Sequence, residues 1–536
     1  MMSPTPAIVV SLFAAAVLAV APPSRAAAPV PGAAAQAGAG VAWLPAGTDD
    51  DVDAAFARAR SEKRPLLLYW GAKWCPPCNH LSATLFNRQD FIERSRAFVP
   101  VYVDGDRPGA QKLGSRFKVR GYPTMVLFDP QGRELTRLPG EADAPQVLAL
   151  LQIGLARGRP VRAVLADARN PARVKALSPD DWRLLAFHSW DTDAGQLVPE
   201  ADRPALLVSL ATACPPSQDA TRTRLWLKAL AASEDGKRVK VDTALRERVA
   251  KVLADPVAAR LHMDVLTSYA AEITRSLAPR EPAAERARVV GAFDTALQRL
   301  QGDATLSRAD RIAALGSRVE LARLDLPEGA TAVTLPAPLF AELRAQVARD
   351  DREIRDGYER QAVITSAAYV LKQAGLLDES DALLGANLAR SHASYYLMSQ
   401  LAGNAKARGD VAGALRWHEQ AFDKSEGPAT RLQWGATYVG ALVELAPQDE
   451  ARIERAAQQV FSEAATQSDA FHERSARSLQ RIGSRLMAWN KEGRHDAALQ
   501  RLRAQLDAVC GKLPAGDVQR GACDAVLKPG RSDKSA

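Results

Sequence analysis

Long apolar runs are scarce in this chain. Beyond residue 21 no stretch is apolar enough to span a bilayer, which takes about 20 such residues. A membrane-embedded electron path is therefore excluded from the remainder. Basic charge is nowhere gathered in runs. Lys and Arg exceed Asp and Glu by 70 to 62, but they are scattered among acids. Without a basic stripe, nucleic acid is not an expected partner. Histidines number 7 and are dispersed, and there is a single CxxC. A zinc site would need two more ligands at metal spacing, so no metal or cofactor is expected. No Ser/His/Asp arrangement or phosphate-binding loop stands out. Cysteine is rare as well: Cys75, Cys78, Cys214, Cys510 and Cys523 are the five. The odd count leaves at least one unpaired within the chain.

What is present is the composition of a globular protein, 47% hydrophobic and 25% charged over 536 residues. That length suits about two to four domains. Ala7 to Ala21 is apolar and small residues follow in "SRAAAP", so residues 1–26 read as an export signal with Ser24 at the minus-three position. An uncleaved anchor is the alternative, and no cysteine follows the run to carry a lipid. Residues 27–40 read as an Ala/Gly/Pro tether. Export, to a periplasm or a similar compartment, places the thiols in an oxidising environment.

Residues 41–158 alternate between strand and helix patterns. "PLLLYWGA", "FVPVYVD" and "TMVLF" are apolar runs of strand length. Helical spacing marks "DDDVDAAFARARSEKR", Cys75 to Leu85, "QDFIERSRAF", "GAQKLGSRFKV" and "DAPQVLALLQIGLARG", and "ELTRLPG" reads as an edge strand. A sheet with helices on its faces is expected. From about residue 160 the strand signal disappears. Ser178 before Pro179, and Ser307 further on, read as helix caps. We expect an all-α, solenoid-like array of helical hairpins, divided at 159–350 and 351–510, and a tail at 511–536. Gly375 and Gly409 lie 34 residues apart, the tetratricopeptide period. Ala414 and Ala421 follow Gly409, and Ala498 follows Gly493, in a similar relation. The phase is irregular, which favours a degenerate array.

The stretch "GAKWCPPCNHL" poses the chemical question. If the strand before it runs into a helix at Cys75, that thiol caps a helix N-terminus. Unpaired N–H groups and the helix dipole stabilise a thiolate there, and a pKa of about 8.5 can fall to about 3.5–7.5. Cys78 lies one turn along and can resolve a mixed disulfide. Pro76 and Pro77 suit a first turn that needs no N–H donors. "GYPTMVLF" sets Pro123 before a strand, where a cis Tyr122–Pro123 bond would make a tight turn. A haem anchor requires CxxCH, and Asn79 stands before His80. A structural disulfide without turnover remains an alternative. Catalysis requires one sulfur exposed at the helix start with Pro123 alongside.

These residues, with the element order, resemble the thioredoxin superfamily. The segment "LFNRQDFIERSRAF" is more similar to the periplasmic thioredoxin-like domain of transmembrane thiol–disulfide interchange proteins. The resemblance implies Cys75 as nucleophile, Cys78 as resolving thiol and a cis Pro123 beside them. It also implies Trp74 packed over the site, with Tyr122 and Thr124 as supporting residues around Pro123. Thioredoxin carries a buried Asp six residues before its first cysteine, and here that position is Tyr69. Lys73, His80 and Arg120 are candidate modulators that would make the site electropositive.

Cys510 and Cys523 enclose a turn-rich loop and read as a structural disulfide, worth ~3 kcal/mol by loop entropy. Two separate buried thiols are the other reading. Cys214 reads as a core thiol. The aromatic-rich "SHASYYLMSQL" and "ATRLQWGATYVGAL" read as core, or alternatively as a groove for a peptide. The chain is thus expected to be an exported thiol–disulfide oxidoreductase. Its partners would be protein clients and an external electron donor or acceptor. The alternative is a non-catalytic scaffold that works through its helices.

Overall fold

The structure, a computed structural model, describes residues 40–278, 283–327, 330 and 333–528. The expected signal segment and nearly all of the tether lie outside them. Among the described residues no helix is long and apolar enough to cross a membrane.

The first part builds β1 (Leu44–Ala46), α1 (Asp49–Glu62), β2 (Leu66–Gly71), α2 (Pro76–Thr84) and α3 (Gln89–Ser95). It continues with β3 (Val99–Asp104), α4 (Ala110–Phe117), β4 (Thr124–Phe128), β5 (Glu134–Leu138) and α5 (Ala144–Arg157). The sheet order is β1-β3-β2-β4-β5. β1 and β2 flank β3 in parallel, whereas β4 and β5 run antiparallel. Thr48 caps α1 reciprocally with Asp51, which satisfies two N–H donors at the helix N-terminus. Every residue of β2 is buried, because helices cover both faces of the sheet. Leu66, Leu68 and Trp70 face α1 and α4, while Leu67 and Tyr69 face α2, α3 and α5. The short β1 has no sequence signature: it is three residues long and holds Pro45, which an edge strand tolerates.

Beyond α5 the described chain is helical from Val161 to Ala525. Ser178 and Ser307 cap their helices with capping boxes to Asp181 and Asp310. Gly375, Gly409 and Gly493 adopt positive φ of 80°, 77° and 73° in turns that join successive helices, a conformation glycine alone takes without cost. Ala414, Ala421 and Ala498 are buried. Cys510 and Cys523 form a disulfide with Cα atoms 5.7 Å apart. Cys214 is a free, buried thiol that burial pushes up to about 11.

The core does not stop where the helical part begins. One hydrophobic cluster runs from Leu67 and Met125 in the sheet, through Val147 and Leu151 in α5, to Leu185, Leu210 and Phe293. A second cluster joins Ile312 and Leu343 to Leu371 and Leu401, across residue 350. The sheet and the helices are one packed body.

Inside the first cluster lies a fully buried ion pair. Arg224 donates to Asp264 through Nη1 at 2.9 Å and Nη2 at 2.5 Å, and through Nε to Ala186 O at 3.1 Å. His262 lies nearby, 2% exposed. Burial, reinforced by the Arg224 charge, pushes it from 6.5 to about 4. Removing one partner of such a pair strands the other charge in the core. Asp264→Ala is expected to cost ~3–5 kcal/mol, read as a lowered urea midpoint; an unchanged midpoint would contradict this account. For His262 the unfolded chain takes up a proton near pH 6.5 that the folded chain refuses until about pH 4. Its effect is absent above pH 6.5, and stability falls as pH drops through that window. His418, also pushed to about 4 by burial, acts in the same sense. Urea midpoints measured from pH 7 to 4 should decline less steeply in His262→Leu than in the parent.

Candidate redox site

β2 ends at Gly71, and a short loop delivers Cys75 to the start of α2. Cys75 is the helix cap: its Sγ accepts the Cys78 N–H at 3.2 Å. Pro76 and Pro77 fill the first turn. Cys75 and Cys78 are joined as a disulfide, with Cα atoms 5.2 Å apart. The buried Asn79 holds the loop in place. Its side-chain N–H2 donates to Lys73 O at 2.9 Å and to Cys75 O at 2.8 Å. The Tyr122–Pro123 bond is cis, and Tyr122 packs on the small cluster of Ala72, Cys75 and Cys78. Gln111 donates to the Tyr122 hydroxyl at 3.0 Å and to Gly105 O at 2.7 Å. A side chain at Gly105 would collide with that hydroxyl. Thr124 opens β4 and donates to Gly121 O at 2.8 Å. The disulfide, the proline loop and Trp74 therefore meet at one end of the sheet.

At the position of the missing carboxylate, Tyr69 sits in an aromatic cluster with Trp43, Phe86 and Tyr102, at centroid distances of 5.6, 4.7 and 5.3 Å. Burial keeps its hydroxyl far above the usual range and hence neutral. A Cβ at Gly71 would lie 2.6 Å from that hydroxyl, so the glycine makes room for it.

Exposure departs from expectation. Cys75 is 2% and Cys78 3% exposed, where catalysis requires an open sulfur. The cause is the helical part, which lies over this end of the sheet. Trp74 is 6.0 Å from Tyr396 in near-parallel stacking and 5.3 Å edge-on from Trp434. The Arg474 guanidinium lies 5.2 Å from both the Trp74 and Tyr122 rings. Asp106 ties the group together. Its carboxylate accepts from Trp74 Nε1 at 3.0 Å, from Thr430 N at 3.0 Å, from Thr430 Oγ1 at 2.6 Å and from Arg474. A second strap runs from Gln111 N to Asp469 at 2.9 Å and from Arg474 N to Gln111 Oε1 at 3.0 Å. Helix α2 meanwhile lies against the helix Gly357–Gln373.

The three basic residues expected to make the site electropositive each face a carboxylate of the helical part. Lys73 is 3.1 Å from Glu426, His80 3.6 Å from Asp310 and Arg120 3.8 Å from Glu200. The Lys73 and Arg120 pairs are exposed and contribute little to stability, but they cancel the positive field. Asp106, Thr430 and Arg474 left no sequence signal, since they are ordinary polar residues and Asp106 lies more than 300 positions from the other two. The two aromatic stretches did flag the other components. Tyr395 and Trp434 are core, whereas Tyr396 stacks on Trp74. Among the described residues no cluster of ligating side chains could hold a metal ion.

A sheet of this order with a helix-capping CxxC beside a cis proline defines a thioredoxin-like domain. Residues 52–154 match the family model of that name, the thioredoxin-like domain, so this part of the chain belongs to the thioredoxin superfamily. The relatives are more particular. The chain is 30% identical over 131 residues to thiol:disulfide interchange protein DsbD 2 of Pseudomonas aeruginosa, covering 24% of this chain and 22% of that protein. DsbD 1 of the same organism is 31% identical over 106 residues, covering 19% of this chain and 18% of the relative. The match thus spans about a fifth of these relatives. The solution structure of a thioredoxin from Thermus thermophilus aligns over 22% of this chain and 88% of its own, at 25% identity and a TM-score of 0.19.

The Asp106–Arg474 contact generates a test of the cover. Arg474→Ala removes the ring contacts and strands Asp106. Iodoacetamide should then alkylate Cys75 of the reduced protein at least about tenfold faster, the equivalent of ~1.4 kcal/mol of lost closure. Peptide mass mapping reads the rate, and an unchanged rate would show that this contact does not hold the cover down.

Proposed function

We propose that the chain is an exported thiol–disulfide oxidoreductase acting on protein clients through Cys75 and Cys78. The observation that carries this reading is the helix-capping disulfide packed against the residue of the cis-proline bond. In the reducing direction the Cys75 thiolate attacks a client disulfide. A Cys75–client bond forms and one client thiolate leaves. The Cys78 thiolate then attacks Cys75 Sγ, the second client thiolate leaves, and the Cys75–Cys78 bond forms. The client gains two electrons and the protein pair loses them. The oxidising direction is the reverse. An external thiol donor or disulfide acceptor restores the pair, because no membrane-crossing helix occurs among the described residues to carry electrons.

The closed cover sets a condition on this reading. With sulfurs 2% and 3% exposed, no client disulfide can approach in line with the S–S bond. Exchange therefore requires the helical part to lift from Trp74. The helix N-terminus then favours the thiolate.

The same burial favours a second reading. A disulfide sealed in this way can serve as a staple, with the helical part working as a scaffold and the thioredoxin-like domain as its docking module. Insulin reduction separates the two. The parent protein should precipitate insulin B chain in the presence of dithiothreitol, and Cys75→Ser should abolish the acceleration. With Cys78→Ala, mixed disulfides should accumulate on Cys75 and be released by reductant. An inactive parent that also traps nothing would leave the scaffold reading standing.

A further inference from the structure

Two cavities open in the helical part beside the disulfide, one of about 810 Å³ and one of about 320 Å³. The larger has Pro76 and Pro77 in its wall. The smaller is bounded by Trp434 and Lys372. Tyr369, Tyr396 and Gln400 line both, so the two form one groove between the helices Gly357–Gln373 and Ser394–Ala407. Tyr396, Gln400 and Asn404 recur at four-residue intervals along its floor, a run of about 12 Å at 1.5 Å per residue. An extended polypeptide of about four residues spans that length.

The lining has unmet polar capacity of a definite kind. Asn404 is fully buried, and its N–H2 is committed to Ser380 Oγ at 2.9 Å and Asp381 at 2.8 Å. Its Oδ1 has no hydrogen-bond partner. Gln400 gives its N–H2 to Thr365 O at 3.1 Å, and its Oε1 is likewise unpartnered. Both amide orientations are set by acceptors, so both free atoms are buried acceptors that lack an N–H donor. One turn beyond, Lys372 crosses the groove, and a Cβ at Gly403 would lie 2.8 Å from its Nζ. Burial, with the neighbouring charge of Lys406, holds the Lys372 ammonium below the usual lysine range, and Lys406 is itself paired with Glu444. Lys372 has no carboxylate partner among the described residues. Tyr369, 56% exposed, stands at the junction of the two cavities.

We propose that this groove is the docking site for an extended polypeptide segment that carries an acidic side chain. Its backbone N–H groups meet Gln400 Oε1 and Asn404 Oδ1. Its carboxylate meets Lys372, and its apolar side chains lie on Tyr369 and Tyr396. The segment runs from Lys372 toward Pro76 and Pro77, which places it beside the disulfide once the cover lifts. The assignment rests on the oxidoreductase reading only for the identity of the segment as a client.

Fluorescence anisotropy on the full chain tests it. The probes are an acetylated, amidated peptide of Ala, Val and Tyr with one central Glu, and its Gln twin. The Glu peptide should bind about tenfold more tightly, the difference that one charge-assisted hydrogen bond supplies. Lys372→Gln should abolish that difference while leaving the Gln twin unaffected. Tyr369→Ala should weaken both peptides, and its exposed position spares the fold. Cys75→Ser should bind as the parent does, so loss of redox activity and loss of docking are read separately. Equal affinity for the two peptides, an undiminished preference in Lys372→Gln, or a preference only for a peptide with a free C-terminal carboxylate would each overturn the proposal.

Discussion

The placement of Trp74 governs what this molecule can do. Its ring is held from below by the loop that carries Cys75 and from above by Tyr396, Trp434 and Arg474. Its indole N–H is held by Asp106. Offset and edge-on ring pairs contribute about 0.5–1.5 kcal/mol each beyond area burial, and the guanidinium adds a cation–π contact. Asp106 converts these contacts into one cooperative unit, because its two oxygens serve the thioredoxin-like domain and the helical part together. The disulfide packs with Ala72, Trp74 and Tyr122, and the unit lies over that Trp74.

Such a cover has two effects of opposite sign. Removing water from the helix start strengthens the interaction of a Cys75 thiolate with the backbone dipoles. It also denies access to any partner. The balance is set by how firmly the helical part is docked. That docking combines the Asp106 and Gln111 hydrogen bonds with exposed ion pairs at Lys73 and Arg120 and a His80–Asp310 contact. The hydrophobic cluster shared between the sheet and the first helices lies elsewhere. The contacts over Trp74 belong to a separate hydrophobic cluster of the helical part, one that includes Trp434.

The sheet and its flanking helices were legible because strand-length apolar runs alternate with helical spacing, and caps such as Ser178 and Ser307 announced helix starts further on. β1 was not legible, since three residues with a proline carry no period. The turns at Gly375 and Gly409 were legible from glycine spacing, although spacing alone does not describe how the hairpins stack. At the redox site, the cysteines, Trp74 and the proline loop could be read from motif spacing. Asn79, Asp106, Thr430 and Arg474 could not. Their roles depend on partners brought together by folding, and a lone Asp or Arg in a chain with 132 charged residues carries no signal of its own.

By itself the sequence determined the local chemistry: a cysteine at a helix start, two prolines that suit its first turn, and an apolar strand with Tyr69 just ahead of it. These follow from neighbours a few residues apart, over which backbone geometry is nearly fixed. Only the tertiary structure decided that the sulfurs are closed off, that Lys73 and Arg120 are paired with Glu426 and Glu200, and that a groove leads from Lys372 to the prolines. Each of these joins residues far apart in the chain. Its existence depends on the summed packing of many helices, which no local pattern encodes.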